Sequence, residues 1–151
     1  MANGKASLRL WLRLLTCTNF IEREVRARLR RDFSVTLPRF DMMAALERTP
    51  DGLSMGELSE RLMVSNGNVT GVAERLVQEG LAKRWSPPAD RRSSRIALTA
   101  HGQKTFAAMA KQHQGWIEEM MSGLNAKERE TLMTLLAKVK TSLDTKGRDA
   151  A

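Results

Sequence analysis

Between Ser54 and Thr99 the hydrophobic period of the chain switches once, from helical to extended, and few folds accept that order of elements in so short a span. Ser54, with Glu57 three residues on, is a reciprocal capping box, in which side chains satisfy the free N–H groups of a helix start. Leu58 and Leu62 give that helix an apolar side. A break at Met63 and Val64 leads to Ser65, a second good N-cap. The run Asn66 to Glu79 then places Val69, Val72, Ala73 and Leu76 on one face and leaves Asn66, Asn68, Thr70, Gly71, Glu74 and Arg75 to point elsewhere. Gly80 stops it, as a glycine just past a helix end does. Beyond Gly80, Leu81, Lys83 and Trp85 alternate with Ala82, Arg84 and Ser86, and Ile96 and Leu98 alternate with Arg95 and Ala97. Two strands therefore flank Pro87 to Ser94, and a strand tryptophan such as Trp85 is expected in the core.

Two short helices followed by a two-stranded hairpin with a basic tip is the element order of a winged helix-turn-helix. The expected fold is thus mainly α with a small β-hairpin wing. The tip holds Asp90-Arg91-Arg92-Ser93, preceded by Gly80-Leu81-Ala82-Lys83-Arg84 and followed by Leu98-Thr99-Ala100-His101-Gly102. These three pieces, in this order and at these separations, closely resemble the core of the MarR family of bacterial transcription regulators. The resemblance implies one long helix before the winged helix and two after it, joined in an intertwined helical dimerisation unit.

At 151 residues the chain fits one domain and is long enough to bury a core. We read 1–151 as a single MarR-like domain, with dimerisation helices at 6–33 and 100–145 and a winged-helix DNA-binding lobe at 38–99. No apolar run is long enough to span a bilayer, and Arg9 and Arg13 interrupt Leu8 to Leu15 as a signal-peptide core, so a cytoplasmic protein is expected. The net charge of +8 points to a polyanionic partner. Its distribution is uneven: +5 over residues 1–48, +1 over 49–98 and +2 over 99–151. Within the nearly neutral middle, Lys83, Arg84, Arg91, Arg92 and Arg95 face only Asp90.

An enzyme has little to stand on here. A single cysteine, Cys17, allows no intramolecular disulfide, and His101 and His113 have no carboxylate at ligand spacing. Phosphate-cradling glycine loops and glycine-flanked nucleophiles are absent from the sequence. No catalytic residue, metal or cofactor is expected.

Outside the reading unit, Ala6 to about Asp32 reads as one long helix after an untethered start. It has two apolar sides, Leu10, Leu14, Cys17, Ile21, Val25 and Leu29 on one and Leu8, Trp11, Leu12 and Leu15 on the other, and so calls for two packing partners. Arg23 to Arg31 is read as a solvated face laced with ion pairs, with attraction of DNA or of an anionic ligand as the open alternatives. Pro38 begins a second helix, which runs to a turn at Thr49-Pro50-Asp51-Gly52. Thr99 caps a helix from Ala100 to about Met121. Asn125 with Glu128 caps the last one, whose narrow stripe of Leu132, Leu135, Leu136, Val139 and Leu143 suits a partner helix and which is expected to fray from Lys146 to Asp149.

B-form DNA admits one α-helix into its major groove, where base edges are distinguishable. On the helix after Ser65, Asn66, Asn68 and Thr70 are candidates for base edges or phosphates, Arg75 for either, and Ser65 for capping before contact. In the resembled family the arginine of the wing's Asp-x-Arg enters the minor groove while the aspartate helps hold it, which maps onto Arg92 and Asp90; Arg91, Lys83 and Arg84 would then face phosphates. The resemblance further implies a homodimer on a palindromic operator of double-stranded DNA, acting as a repressor released by a small-molecule effector such as an aromatic acid or an acyl-CoA-type ligand. Candidates for that pocket are Trp11, Leu15, Asn19, Arg39, Phe40, Met43, His113 and Trp116. Alternatives are a DNA-binding regulator that takes no ligand, and a peroxide or thiol sensor working through Cys17. In that branch of the family tyrosine hydroxyls support the thiolate, and this chain has no tyrosine, so Cys17 is expected to be a buried, inert thiol.

Overall fold

Both capping boxes form. The Glu57 N–H donates to Ser54 Oγ (3.1 Å) and the Ser54 N–H to Glu57 Oε2 (2.9 Å). The Glu128 N–H donates to Asn125 Oδ1 (2.9 Å) and the Asn125 N–H to Glu128 Oε1 (3.0 Å). The structure, a computed structural model, describes residues 2–62, 66–90 and 93–149, with the side chains of 66, 67 and 149 excepted. Its elements are α1 (Ala2–Phe33), α2 (Leu37–Glu47), β1 (Leu53–Ser54), α3 (Met55–Leu62), α4 (Asn66–Gln78), β2 (Ala82–Trp85), β3 (Arg95–Leu98), α5 (Ala100–Met120) and α6 (Ala126–Asp149).

Gly80, at φ +75, ends α4 in the left-handed region, with the Gly80 N–H donating to Val77 O (3.0 Å) and the Leu81 N–H to Leu76 O (2.9 Å). This pair of bonds is the Schellman closure, which satisfies two carbonyls that the helix leaves open. The chain then turns back so tightly that Thr99 bridges both sides of the wing base. Thr99 Oγ1 donates to Gly80 O (2.7 Å) and accepts the Gly102 N–H (3.0 Å). A Cβ at Gly102 would lie 1.9 Å from Leu81 O, which is why this turn of α5 carries a glycine.

The wing has three strands where the sequence suggested two. β1 adds to the hairpin in the antiparallel order β1-β3-β2, with Leu53 opposite Ile96 and Ala82 opposite Leu98. β3 is therefore central and packs against α2, so Ile96, Ala97 and Leu98 are all buried instead of alternating. β1 escapes sequence reading because it is two residues long and its second residue, Ser54, is also the helix cap. Trp85, at the end of the edge strand β2, is 37% exposed and not in the core. Its indole rests on Gly52, where an added Cβ would meet Trp85 Cη2 at 2.7 Å.

The chain divides into two compact units, Met1–Gln114 and Gly115–Ala151. In the first, Leu29 of α1, Phe40, Met43 and Leu46 of α2, Leu58 of α3, Val69, Ala73 and Leu76 of α4, Ile96 of β3 and Met109 of α5 form the core. α1 begins at Ala2 rather than Ala6, since nothing from Ala2 to Lys5 is a helix breaker stronger than Gly4. α6 likewise continues to Asp149 instead of fraying from Lys146, with Gly147 tolerated inside it. Cys17 is exposed and not buried, as are its neighbours Thr16, Thr18 and Asn19 on α1.

Candidate nucleic-acid interface

α4 is two-faced. Val69, Ala73 and Leu76 are buried against the core, and Asn68, Thr70, Gly71, Glu74 and Arg75 are exposed. The hydrophobic side fixes the rotation of the helix, so the polar side has no choice but to face outward. A Cβ at Gly71 would meet nothing within 4 Å, so packing does not require this glycine, which leaves the helix surface low where a partner backbone can approach. The expected sites Ser65, Arg91 and Arg92, and the side chain of Asn66, lie outside the described residues.

On the wing, Lys83 and Arg84 are exposed on β2. Arg84 Nε donates across the hairpin to Ser94 Oγ (3.1 Å), and Lys83 Nζ stands 5.9 Å from the centroid of the Trp85 ring. Arg95 is committed differently: its Nη2 donates to Gly52 O (2.8 Å), pinning the sheet to the turn after α2. On the tip the Asp90 N–H donates to Pro87 O (3.1 Å) and the Ser93 N–H to Asp90 O (3.2 Å). Asp90 is exposed on this tip.

The residues expected around an effector are spread over α1, α2 and α5. Trp11 and Asn19 stand exposed on α1, Leu15 is half-buried there, and Trp116 is buried in the second unit. Phe40 and Met43 are core residues, and the Phe40 ring lies 4.8 Å from that of His113 and 5.4 Å from that of Phe106, tilted against both. Burial among these rings pushes the His113 imidazole below its ordinary pKa. Arg39 is claimed by Glu79: Arg39 Nη1 donates to Glu79 Oε1 (3.1 Å) and Nη2 pairs with Oε2. Desolvation, followed by repulsion from Arg75, lowers the Arg39 pKa. This pair spans 40 positions of sequence, so no local pattern signals it.

A cavity of about 210 Å³ does lie between α1, α2 and the start of α4. Its floor includes Met42, Leu62 and Val72, and its rim Glu22, Arg26 and Asp41. Arg26 Nη2 is 2.7 Å from Glu22 Oε1. Partial desolvation pushes the Asp41 carboxyl above the ordinary carboxylate range, with Arg26 opposing the rise and Glu22 adding to it.

An exposed polar helix face beside a basic three-stranded wing defines a winged helix-turn-helix, and comparison with known proteins places it among regulators. The sequence profile of the MarR family matches residues 33–93. The transcriptional regulator HosA of Escherichia coli O111:H- is 30% identical over 105 residues, covering 70% of this chain and 77% of HosA. A crystal structure of a MarR family transcriptional regulator from Silicibacter pomeroyi matches with a TM-score of 0.79 at 30% identity, covering 95% of this chain and 99% of that one. Sco3205, a MarR family transcriptional regulator from Streptomyces coelicolor solved in complex with DNA, shares the fold with a TM-score of 0.79 at 19% identity, over 90% of this chain and 86% of its own. The chain spans 66% and 61% of the lengths of two further curated relatives. This chain belongs to the MarR family. Its relatives carry the names of transcriptional regulators, not of enzymes.

Proposed function

We propose that this protein is a dimeric, sequence-specific DNA-binding regulator of transcription, acting in the cytoplasm on a palindromic operator as a repressor that a small molecule releases. The observation that carries this reading is the division of α4 into a face buried at Val69, Ala73 and Leu76 and an exposed polar face, with Lys83 and Arg84 exposed on the wing. Asn66, Asn68 and Thr70 would enter the major groove, Arg75 would reach a base edge or a phosphate, Arg92 with Asp90 would enter the minor groove, and Lys83, Arg84 and Arg91 would hold phosphates, with Ser65 capping the helix before any contact of its own. That Sco3205 was solved with DNA supports the same reading for this fold.

Dimerisation is supported by apolar surface that the single chain leaves open. Leu8, Trp11 and Leu12 on α1 and Leu135, Val139 and Leu143 on α6 are all exposed, and soluble monomers rarely keep apolar patches of such extent. Helices 6–33 and 100–145 then serve the dimer and 38–99 reads DNA, all within one domain. Two copies place two recognition helices roughly 34 Å apart, one turn of DNA.

The cavity between α1, α2 and α4 is our choice for the effector site, because a ligand there touches the recognition helix directly. An apolar cavity of about 150 Å³ takes benzene, so the roughly 210 Å³ here suits a single-ring acid better than an acyl-CoA thioester. A carboxylate would have to draw Arg26 away from Glu22. The exposure of Cys17 favours a second reading, a thiol sensor, which a comparison of DNA affinity before and after peroxide in wild type and Cys17→Ser separates from the first.

Selection of duplexes from a random pool tests the central reading. A palindrome should be enriched, and Arg92→Ala should bind it more weakly by about 1–3 kcal/mol per half-site while folding normally. Failure to enrich any sequence would overturn the proposal.

A further inference from the structure

The corner between α1 and α2 shares a cleft with the exposed stripe of α4. Ser34 sits there at φ +54, a left-handed position for a residue with a Cβ. It is held by the Ser34 N–H donating to Arg30 O (3.1 Å), the Val35 N–H donating to Leu29 O (3.3 Å), and the burial of Val35. The turn sets Ser34, Thr36 and Arg39 across from Asn68, Gly71 and Arg75, around an open cleft of about 370 Å³. Asn68, Gly71 and Arg75 follow one another at i, i+3 and i+7, a single stripe of the helix, and it is the stripe assigned above to DNA.

The chemistry of the cleft is one-sided. Among the described residues no carboxylate lines it, while two guanidiniums do. Thr36 occupies the N-cap position of α2 but makes no capping hydrogen bond, so helix start does not explain its hydroxyl. A guanidinium carries five N–H donors in a planar fork, and the bidentate pairing with Glu79 leaves donors of Arg39 over. Its buried Nε–H has no acceptor among the described residues. Arg75 repels the Arg39 charge, and an anion placed between them would turn that repulsion into shared attraction.

We propose that Thr36, Arg39 and Arg75 together seat one backbone phosphate of duplex DNA beside the recognition helix, and that Glu79 holds Arg39 in position for it. The inference rests on the DNA-binding reading. A phosphodiester presents two unesterified oxygens and one negative charge, which match two guanidiniums and a hydroxyl, and such a contact fixes the register of α4 in the groove without reading sequence. The same pairing neutralises Glu79, whose carboxylate just past the end of α4 would otherwise repel the DNA backbone. Arg39 thus belongs to the DNA interface rather than to the effector pocket.

Arg39→Gln and Thr36→Val are compared with wild type by fluorescence anisotropy on a selected and on a random duplex, each across a range of salt concentrations, with melting temperatures recorded. Arg39→Gln should lose affinity about tenfold per half-site on both duplexes alike. The slope of log affinity against log salt should become shallower, by at most about 0.9 per half-site because Arg75 still meets the same phosphate. That slope does not depend on the fraction of active protein, so a partly unfolded variant still gives an answer. Thr36→Val should weaken both duplexes by a smaller factor with slope and melting temperature unchanged. A wild-type slope in Arg39→Gln, whatever its affinity or melting temperature, would make Arg39 a structural strut and overturn the proposal, as would wild-type affinity in both variants. If wild type itself showed no salt-dependent binding to either duplex, the DNA-binding reading would fall first and this inference with it.

Discussion

The winged-helix lobe and the last helix display equally regular apolar stripes, and only the lobe covers its own. Met43, Leu46, Leu58, Leu76 and Ile96 are fully buried by neighbours within the first unit, whereas along α6 Leu132, Leu135, Leu136, Val139 and Leu143 all stay exposed, Leu143 at 66%. Helical period says which side of an element is apolar, and nothing in it says what will cover that side. In the lobe the cover comes from other elements of the same unit, α2 against β3 and α4 among them; on α6 it must come from outside the helix, and a second copy of the chain is the cover we propose.

Glycine substitutions probe this contrast most strongly. A Cβ at Gly102 would lie 1.9 Å from Leu81 O and 2.8 Å from its carbonyl carbon, and backbone cannot swing aside as a side chain would. Gly102→Ala should therefore destabilise the lobe by about 3 kcal/mol or more, at the upper end of overpacking costs. Gly115→Ala, in the middle of α5 with nothing within 4 Å of the added atom, should instead stabilise by about 0.5–1 kcal/mol through lost unfolded-state freedom. Urea unfolding of the two variants reads both signs in one experiment. A Gly102→Ala protein as stable as wild type would mean that the start of α5 is not pinned to the base of the wing.

A charge on the uncovered stripe tests the other half of the comparison. Leu135→Asp adds a carboxylate to a surface that is already exposed in the single chain, so the fold of the lobe should survive. If a second copy covers the stripe, the same carboxylate is buried at the interface at a cost of several kcal/mol, and the dimer dissociation constant should rise by on the order of a hundredfold. Sedimentation equilibrium measures it. Equal dissociation constants for wild type and Leu135→Asp would remove α6 from the dimer contact.

How much was legible follows the same division. The capping boxes Ser54/Glu57 and Asn125/Glu128, the stop at Gly80 and the outward face of α4 were all readable, because each depends on residues three or four apart. The strand Leu53–Ser54 was not, since its partner β3 lies some forty residues on and its second residue carries a cap signal. Exposure of Trp85 and of Cys17 was misjudged for a related reason: residue type gives an average burial, and the edge of a sheet or an uncovered helix overrides it. Among the residues proposed to contact DNA, Asn68, Thr70 and Arg75 could be placed on the exposed face from the helical wheel alone. The place of Arg39 could not be read this way, because it is set by the pairing with Glu79 and by the left-handed corner at Ser34, which no glycine announced.

The smallest effect comes from a titration inside the lobe that α6, which carries no histidine, cannot match. The His113 ring lies tilted against Phe40 at 4.8 Å, and burial there disfavours its charged form, so its pKa in the folded chain lies below the ordinary 6.5. Above 6.5 the ring is neutral folded or unfolded, and it contributes no pH dependence. As the pH falls through 6.5 the unfolded chain takes up a proton that the folded chain refuses, so the folded state loses stability until the pH also passes the lower folded value. Melting temperatures of wild type and His113→Gln should therefore run parallel above that window and converge or cross within it, since glutamine forfeits the ring contacts at every pH but has no proton to gain. Curves that stay parallel down through the window would mean that the imidazole is protonated as easily in the lobe as in water, and the packing of His113 against Phe40 would then not exclude its charge.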